Sequence, residues 1–152
     1  MKKSRLFLVL VLAVFFLTAC LGGNSDLTCT KSESDSGMDL NQSVTFKFED
    51  DSPYLVDLTM DFIATEDATR EYWSLLASGI EEEFASFDDK DGMEVEVTSN
   101  EATHTVSLNF IMDLRRVSTE DLSELNLEEL ADSTGNRASI RQAAEEDGFV
   151  CR

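Results

Sequence analysis

Between Tyr54 and Phe62 every second residue is apolar: Tyr54, Val56, Leu58, Met60 and Phe62. The rhythm returns at His104, Val106, Leu108, Phe110 and Met112. Side chains on a strand alternate between faces, so such runs build an antiparallel sheet with one dry face and one wet face. The dry face needs a cover. The sequence supplies one after the first run, where Trp73, Leu76, Ile80, Phe84 and Phe87 fall three or four apart. That spacing marks one stripe of a helix. A second helix is expected from about Asn136 to Glu146, with Ile140, Ala143 and Ala144 inward and Gly148 as its C-cap. The fold class is therefore α+β, an antiparallel β-sheet packed against two main helices.

The remaining elements follow from shorter patterns. "LTCTKS", starting at Leu27, suits a first strand, and "ESDSGMDLN" with Gly37 suits a hairpin loop. Val44, Phe46 and Phe48 alternate with Thr45 and Lys47 as a second strand, closed by "EDDSP" with Pro53 as turn former. These strands and the Tyr54 run read as a meander. The first helix is expected to run unbroken from about Asp67 to Phe87, with Glu66 and Asp67 at its positive end. Gly79 inside it is unfavourable by about 1 kcal/mol against Ala, and a close helix–sheet approach would account for it. Met93, Val95 and Val97 give a strand that pairs with the His104 run as a hairpin. Ser118 and Asp121 stand three apart as a capping-box-like start. Leu122, Leu125, Leu127 and Leu130 would seat the acidic helical stretch that follows. "FVC" closes the chain as a short strand. Two successive strand–strand–helix units suggest a split α+β layout.

The first residues describe something other than a domain. Lys2, Lys3 and Arg5 precede twelve apolar residues, Leu6 to Leu17, and the small pair Thr18-Ala19 stands just before Cys20. A basic start, a short apolar core and small residues at the cut make a secretory signal peptide. A membrane-spanning helix would need about 20 apolar residues. "LTAC" also resembles the lipobox of bacterial lipoproteins. That resemblance implies a signal peptide at 1–19 and a lipid on Cys20, which becomes the mature N-terminus. Each buried CH₂ contributes about 0.8 kcal/mol, so two or more acyl chains hold stably. Residues 20–26, from Cys20 through "LGGNSD", read as a lipid-anchored flexible linker. The domain is then 27–152. Leu21 is not Asp, which by the same resemblance does not favour inner-membrane retention.

With Cys20 lipidated, Cys29 and Cys151 are left as a pair, and export favours a disulfide between them. The bridge would set the first strand beside the last. Closing so long a loop is worth about 4–5 kcal/mol in the chain-entropy estimate. Two free thiols are the alternative. A zinc site with His104 is a third reading, disfavoured because the cysteines lack close metal-ligand spacing.

Charge bounds the partners. The chain carries 31 acidic and 12 basic residues, a formal net charge of −19, and loss of the leader's three cations takes it to −22. Nucleic-acid binding needs the opposite sign. An anionic headgroup surface would also repel the domain. A solvated, soluble surface is one reading of this acidity; a high-salt habitat, where self-repulsion is screened, is another.

The sequence contains no Gly-x-Ser-x-Gly elbow, no phosphate-cradling glycine loop and no His-Glu-x-x-His. His104, the single histidine, falls in phase with an apolar strand face and reads as half-buried and structural. Acidic pairs such as Asp50-Asp51 and Asp88-Asp89 fall in expected turns rather than a cleft. "FDDKDGME" gathers carboxylates before Gly92, but its register fails the EF-hand, whose first position would be Phe87. Trp73 and Phe87 read as core. No cofactor, metal or catalytic residue is expected.

The order of "DGMEVEVTSNEATHTVSLNF", then the acidic Leu-rich "DLSELNLEEL", then a helix ending "AAEEDGFVC" resembles the YehR-like bacterial lipoproteins. These are small envelope lipoproteins of uncharacterised function, and the resemblance covers most of residues 20–152. It implies an α+β fold and brings no active-site residues. The expected function is a non-catalytic envelope lipoprotein, bound to a membrane through the lipid on Cys20, with a binding or adaptor role toward an unknown envelope protein or ligand. An acidic-cleft hydrolase and a calcium-dependent surface protein are the alternatives.

Overall fold

A computed structural model describes residues 26–124 and 135–152. The expected signal peptide at 1–19, Cys20 and the linker as far as Ser25 lie outside the described residues, as do Leu125, Leu127 and Leu130. The strands are β1 (Leu27–Asp35), β2 (Met38–Glu49), β3 (Ser52–Ala64), β4 (Met93–Asn100), β5 (Thr105–Asp113) and β6 (Val150–Cys151). The helices are α1 (Asp67–Glu71), α2 (Trp73–Asp88), α3 (Thr119–Glu124) and α4 (Arg137–Glu146). The strands form one sheet in the order β4-β5-β3-β2-β1-β6. Every pairing is antiparallel. The expected meander and the β4–β5 hairpin are both present. The α+β class holds, with α2 and α4 as the main helices.

Cross-strand register places the apolar set on one face. Phe46 faces Val56, Val56 faces Met112, and Met112 faces Met93. The buried core groups Leu27, Phe46, Phe48, Phe110, Met112 and Leu122, with Phe87 and Ile140 packed against it. The opposite face is polar, and its side chains bond across strands. Thr28 Oγ1 meets Thr45 Oγ1 at 3.0 Å, and the Ser107 hydroxyl donates to Asp61 Oδ1 at 2.5 Å.

Several boundaries differ from the sequence reading. The expected loop at 33–41 is mostly strand. Only Ser36 and Gly37 form the turn, with φ of 50° and 79°. Two positive φ angles match the right-handed twist of the flanking strands, so a two-residue hairpin suffices. Its polar flanks pair as strand, Ser32 opposite Asn41. Asp50 and Asp51, also at positive φ, make the β2–β3 turn. Pro53, assigned to that turn, instead pairs with Phe48 at a register shift in β3. The long first helix is broken at Tyr72, whose N–H reaches back to Thr69 O rather than one residue further. Two anchors explain the break. Thr69 Oγ1 donates to Gly37 O at 2.8 Å, pinning α1 to the hairpin, while Trp73 is buried at the start of α2. His104 sits in the β4–β5 turn at φ 50° rather than inside β5. Ala143, expected inward, is exposed, while Ile140 and Ala144 pack on the core.

Other local expectations hold. Ser118 Oγ accepts from the Asp121 N–H at 3.1 Å and donates to Asp121 Oδ2 at 2.5 Å, opening α3. Asn136 caps α4 by accepting from the Ser139 N–H at 3.0 Å. Gly148, at φ 89°, ends α4 and lets Phe149 N–H reach Ala144 O at 2.9 Å, a Schellman-type close.

Candidate functional site

The two ends of the sheet are finished differently. Leu27 pairs with Phe46 at one end, and Met38 pairs with Ala64 at the other. At the Leu27 end, Phe84, Phe87 and Phe110 meet edge to face or tilted, with ring centroids 6.0–6.3 Å apart. α3 adds Leu122, which is fully buried. Cys29 and Cys151 stand directly opposite in the β1–β6 ladder, with Cα atoms 4.0 Å apart. Thr28 and Arg152 exchange both backbone hydrogen bonds beside them, so the cysteines occupy the closer, non-hydrogen-bonded position. Their sulfurs are 2.01 Å apart, the distance of a disulfide. Register alone brings together two residues separated by 122 positions.

Cations gather at the same end. The Lys90 ammonium lies 5.1 Å from the Phe87 ring centre, Arg137 lies 5.4 Å from Phe48 and Arg115 lies 4.5 Å from Tyr54. Lys90 also bonds Asp121 Oδ1 at 2.7 Å, and that bond, with the Ser118 hydroxyl, holds the Asp121 carboxyl below its ordinary range. Arg115 does the same for Asp113 through a hydrogen bond at 3.0 Å. Asp91, in the "DDKDG" turn, pairs with Arg116. Among the described residues no three His, Cys, Asp or Glu side chains converge on a metal-sized site. His104 is half-buried, its ring set edge-on to Trp73 at 6.1 Å.

The Met38 end is open. A groove of about 730 Å³ runs between α1–α2 and the start of β2, walled by Thr69, Tyr72, Leu75, Ile80 and Met38. Tyr72 is 65% exposed and Leu75 71% exposed, two of the three large apolar side chains so exposed among the described residues. The third, Val150, lies on β6. Gly79 lines the groove, and a Cβ added there would meet nothing within 4 Å. The expected close helix–sheet approach at this glycine is therefore absent; its bare backbone opens the groove instead. From Tyr72 to Glu83 the groove follows α2 for roughly 16 Å. A volume of about 300–1,000 Å³ is usual for ligand sites.

The sequence reading missed this site. It followed the stripe Trp73, Leu76, Ile80, Phe84 and Phe87, which does face the core. Tyr72 and Leu75 lie off that stripe, with Gly79 one turn beyond Leu75. A second apolar strip beside a helical glycine was the available signal.

Solved structures with the same arrangement exist. The E. coli YehR protein, solved by NMR, superposes with a TM-score of 0.60 at 15% identity, over 85% of this chain and 92% of that one. The two proteins share a fold. A protein from Streptococcus pneumoniae TIGR4, also solved by NMR, superposes with a TM-score of 0.57 at 14% identity over 84% of each chain. No protein-family model matches the sequence, and no curated protein matches it. At these identities the YehR likeness concerns the fold. Among the described residues no helix is long and apolar enough to cross a membrane.

Proposed function

We propose that the protein is a non-catalytic lipoprotein of a bacterial cell envelope, held to a membrane by a lipid on Cys20, and that its extracytoplasmic domain binds a partner in the groove between α1–α2 and β2. The observation that carries the binding role is an open apolar groove on an otherwise acidic domain. The anchor rests on "LTAC" after its apolar run. The cross-strand cysteine pair suits an oxidising compartment.

Geometry makes the two roles compatible. β1 begins at Leu27, next to the linker, and has nine residues. At about 3.3 Å per residue, it carries the chain roughly 27 Å to the hairpin that borders the groove. The groove and the start of β1, where the linker attaches, thus lie at opposite ends of the sheet, and a domain tethered through that linker can hold the groove away from the bilayer. The acidic-cleft hydrolase and calcium readings would use a smaller pocket of about 390 Å³ at the "DDKDG" turn, but two of its carboxylates, Asp91 and Asp113, are held by Arg116 and Arg115.

Metabolic labelling with an alkynyl palmitate analogue, followed by membrane fractionation, tests the anchor. The wild-type protein should carry the label and sediment with membranes. Cys20→Ala should carry none. Leader-free Cys20→Ala protein that stays fully membrane-bound would overturn the anchor.

A further inference from the structure

The groove has a sign as well as a shape. α1 and α2 carry six carboxylates, Asp67, Glu71, Glu81, Glu82, Glu83 and Asp88, against one cation, Arg70. That cation is turned to the protein's own groups, donating to Ala64 O and Asp67 Oδ1, each at 3.3 Å. Glu83 lines the groove itself, and no lysine or arginine does so among the described residues. Lys90, Arg115, Arg116 and Arg137 all lie at the opposite end of the sheet, around Phe87, Tyr54, Asp91 and Phe48. With Asp67 paired to Arg70 and Asp88 turned to the Val95 N–H, Glu83 in the groove and Glu71, Glu81 and Glu82 on the same helices leave an apolar strip with a net negative rim.

The chain's own undescribed segments between Cys20 and Arg152 are too short to lie along its length as far as Met38. The linker from Cys20 joins the sheet at Asp26 and spans at most about 20 Å, less than the length of β1. Residues 125–134 leave α3 and rejoin before α4, and both attachments are at the Leu27 end. Leu122 packs there with Leu27, and Arg137 donates to Asp26 O at 2.7 Å. Ten residues reach about 35 Å in all, too short to travel the sheet and return. A second copy would bring its own excess of carboxylates against the same rim. An anionic lipid would meet the same repulsion.

We infer that the groove receives a cationic amphipathic helix of a partner protein, laid alongside α2 with its apolar side chains over Leu75, Gly79 and Tyr72 and its lysines or arginines against Glu82 and Glu83. The inference rests on the groove being the binding surface, and adds the partner's chemistry. Three turns of helix span about 16 Å, the length of the groove, and present anchors at i, i+3/i+4 and i+7. The bare backbone at Gly79 gives the closest approach to one of those anchors. Complementary charge sets orientation and speeds encounter, and it makes binding weaken as salt rises.

The test uses the full chain purified from membranes and reconstituted in phosphatidylcholine vesicles. Fluorescence anisotropy follows labelled 14-residue helical peptides, with empty vesicles subtracted. The probes are an amphipathic Leu/Lys peptide, a Leu/Lys scramble with no apolar face, an amphipathic Leu/Gln peptide and an amphipathic Leu/Glu peptide. The Leu/Lys helix should bind at least tenfold more tightly than each of the others and lose affinity in 0.5 M salt. Leu75→Glu and Gly79→Leu should each weaken it about tenfold while leaving the melting temperature near the wild-type value; Leu75 is exposed and Gly79 faces open space. Equal binding of the scramble, or no effect of either substitution, would reduce the result to attraction by a polyanion and overturn the inference. Equal binding of Leu/Gln with sensitivity to both substitutions would keep the groove as a binding site and overturn the partner's charge. No binding by any probe would overturn both. Sedimentation showing a dimer that Leu75→Glu dissociates would assign the groove to a second copy.

Discussion

The Leu27 end and the Met38 end of the same sheet face were built from similar residues and finished in opposite ways. At the Leu27 end every large side chain has a cover. Phe110 is 2% exposed, Leu122 1% and Cys29 0%. Helices α2, α3 and α4 all contribute, and the cross-strand cysteine pair ties the chain's last strand to its first. At the Met38 end the second core cluster is only Ala64, Trp73, Ile80 and Val106, and Leu75 projects beside it at 71% exposure. A strongly self-repelling chain gains by concentrating its cations, its aromatic contacts and its covalent tie in one place. What it leaves uncovered elsewhere is then available for recognition. Stability is concentrated at one end, and the proposed binding surface lies at the other.

That division can be broken most severely at the cysteines. Reduction of the pair should lower unfolding free energy by about 4–5 kcal/mol, from the entropy of a loop this long, measured by urea titration with and without reductant. An unchanged midpoint would mean that the pair is not bonded in solution. Next in size is Phe110→Ala, expected to cost about 3–5 kcal/mol. Leu75→Ala, on the same face but at the open end, should stay within about 0.5 kcal/mol of wild type. Comparable losses at the two sites would erase the distinction between the ends.

Acid sharpens the comparison further. The Asp113 and Asp121 carboxyls are both held below 3.8 by their partners. A depressed folded-state value means that each stabilises the fold above the unfolded carboxylate range, and that this contribution fades as pH falls through the folded value. Asp121→Asn should therefore lower the melting temperature slightly at pH 6, since solvent screens so exposed a pair. The deficit should shrink as pH falls below 3.8 and through the lowered folded value. A gain in stability is expected at Gly79. Gly79→Ala should raise stability by about 0.5–1 kcal/mol, because the site is helical, exposed and roomy.

The closed end was largely legible in the sequence. Alternation at Val106–Met112 and the spacing of Ile80, Phe84 and Phe87 both report burial, and burial is what hydrophobic periodicity encodes. The cysteine pairing followed once both were assigned to terminal strands. The open end was not legible, for two reasons. Ser32 to Ser36 are polar because little covers them, so the hairpin looked like a loop although backbone pairing carries it through. Tyr72 broke a helix whose apolar spacing ran on undisturbed, because the break comes from Thr69 bonding to Gly37, a contact 32 residues away. The strand order, with β5 inserted between β3 and β4, likewise depends on long-range pairing that no local pattern records.

Hydroxyl-radical footprinting of the full chain, in the native envelope and again after purification, addresses the division of labour most directly. Tyr72 and Leu75 are expected to be shielded in the envelope and to react freely once purified, while Val150, exposed on β6, reacts alike in both. Equal reactivity of Tyr72 and Leu75 in the two preparations would mean that nothing occupies the groove where the protein works.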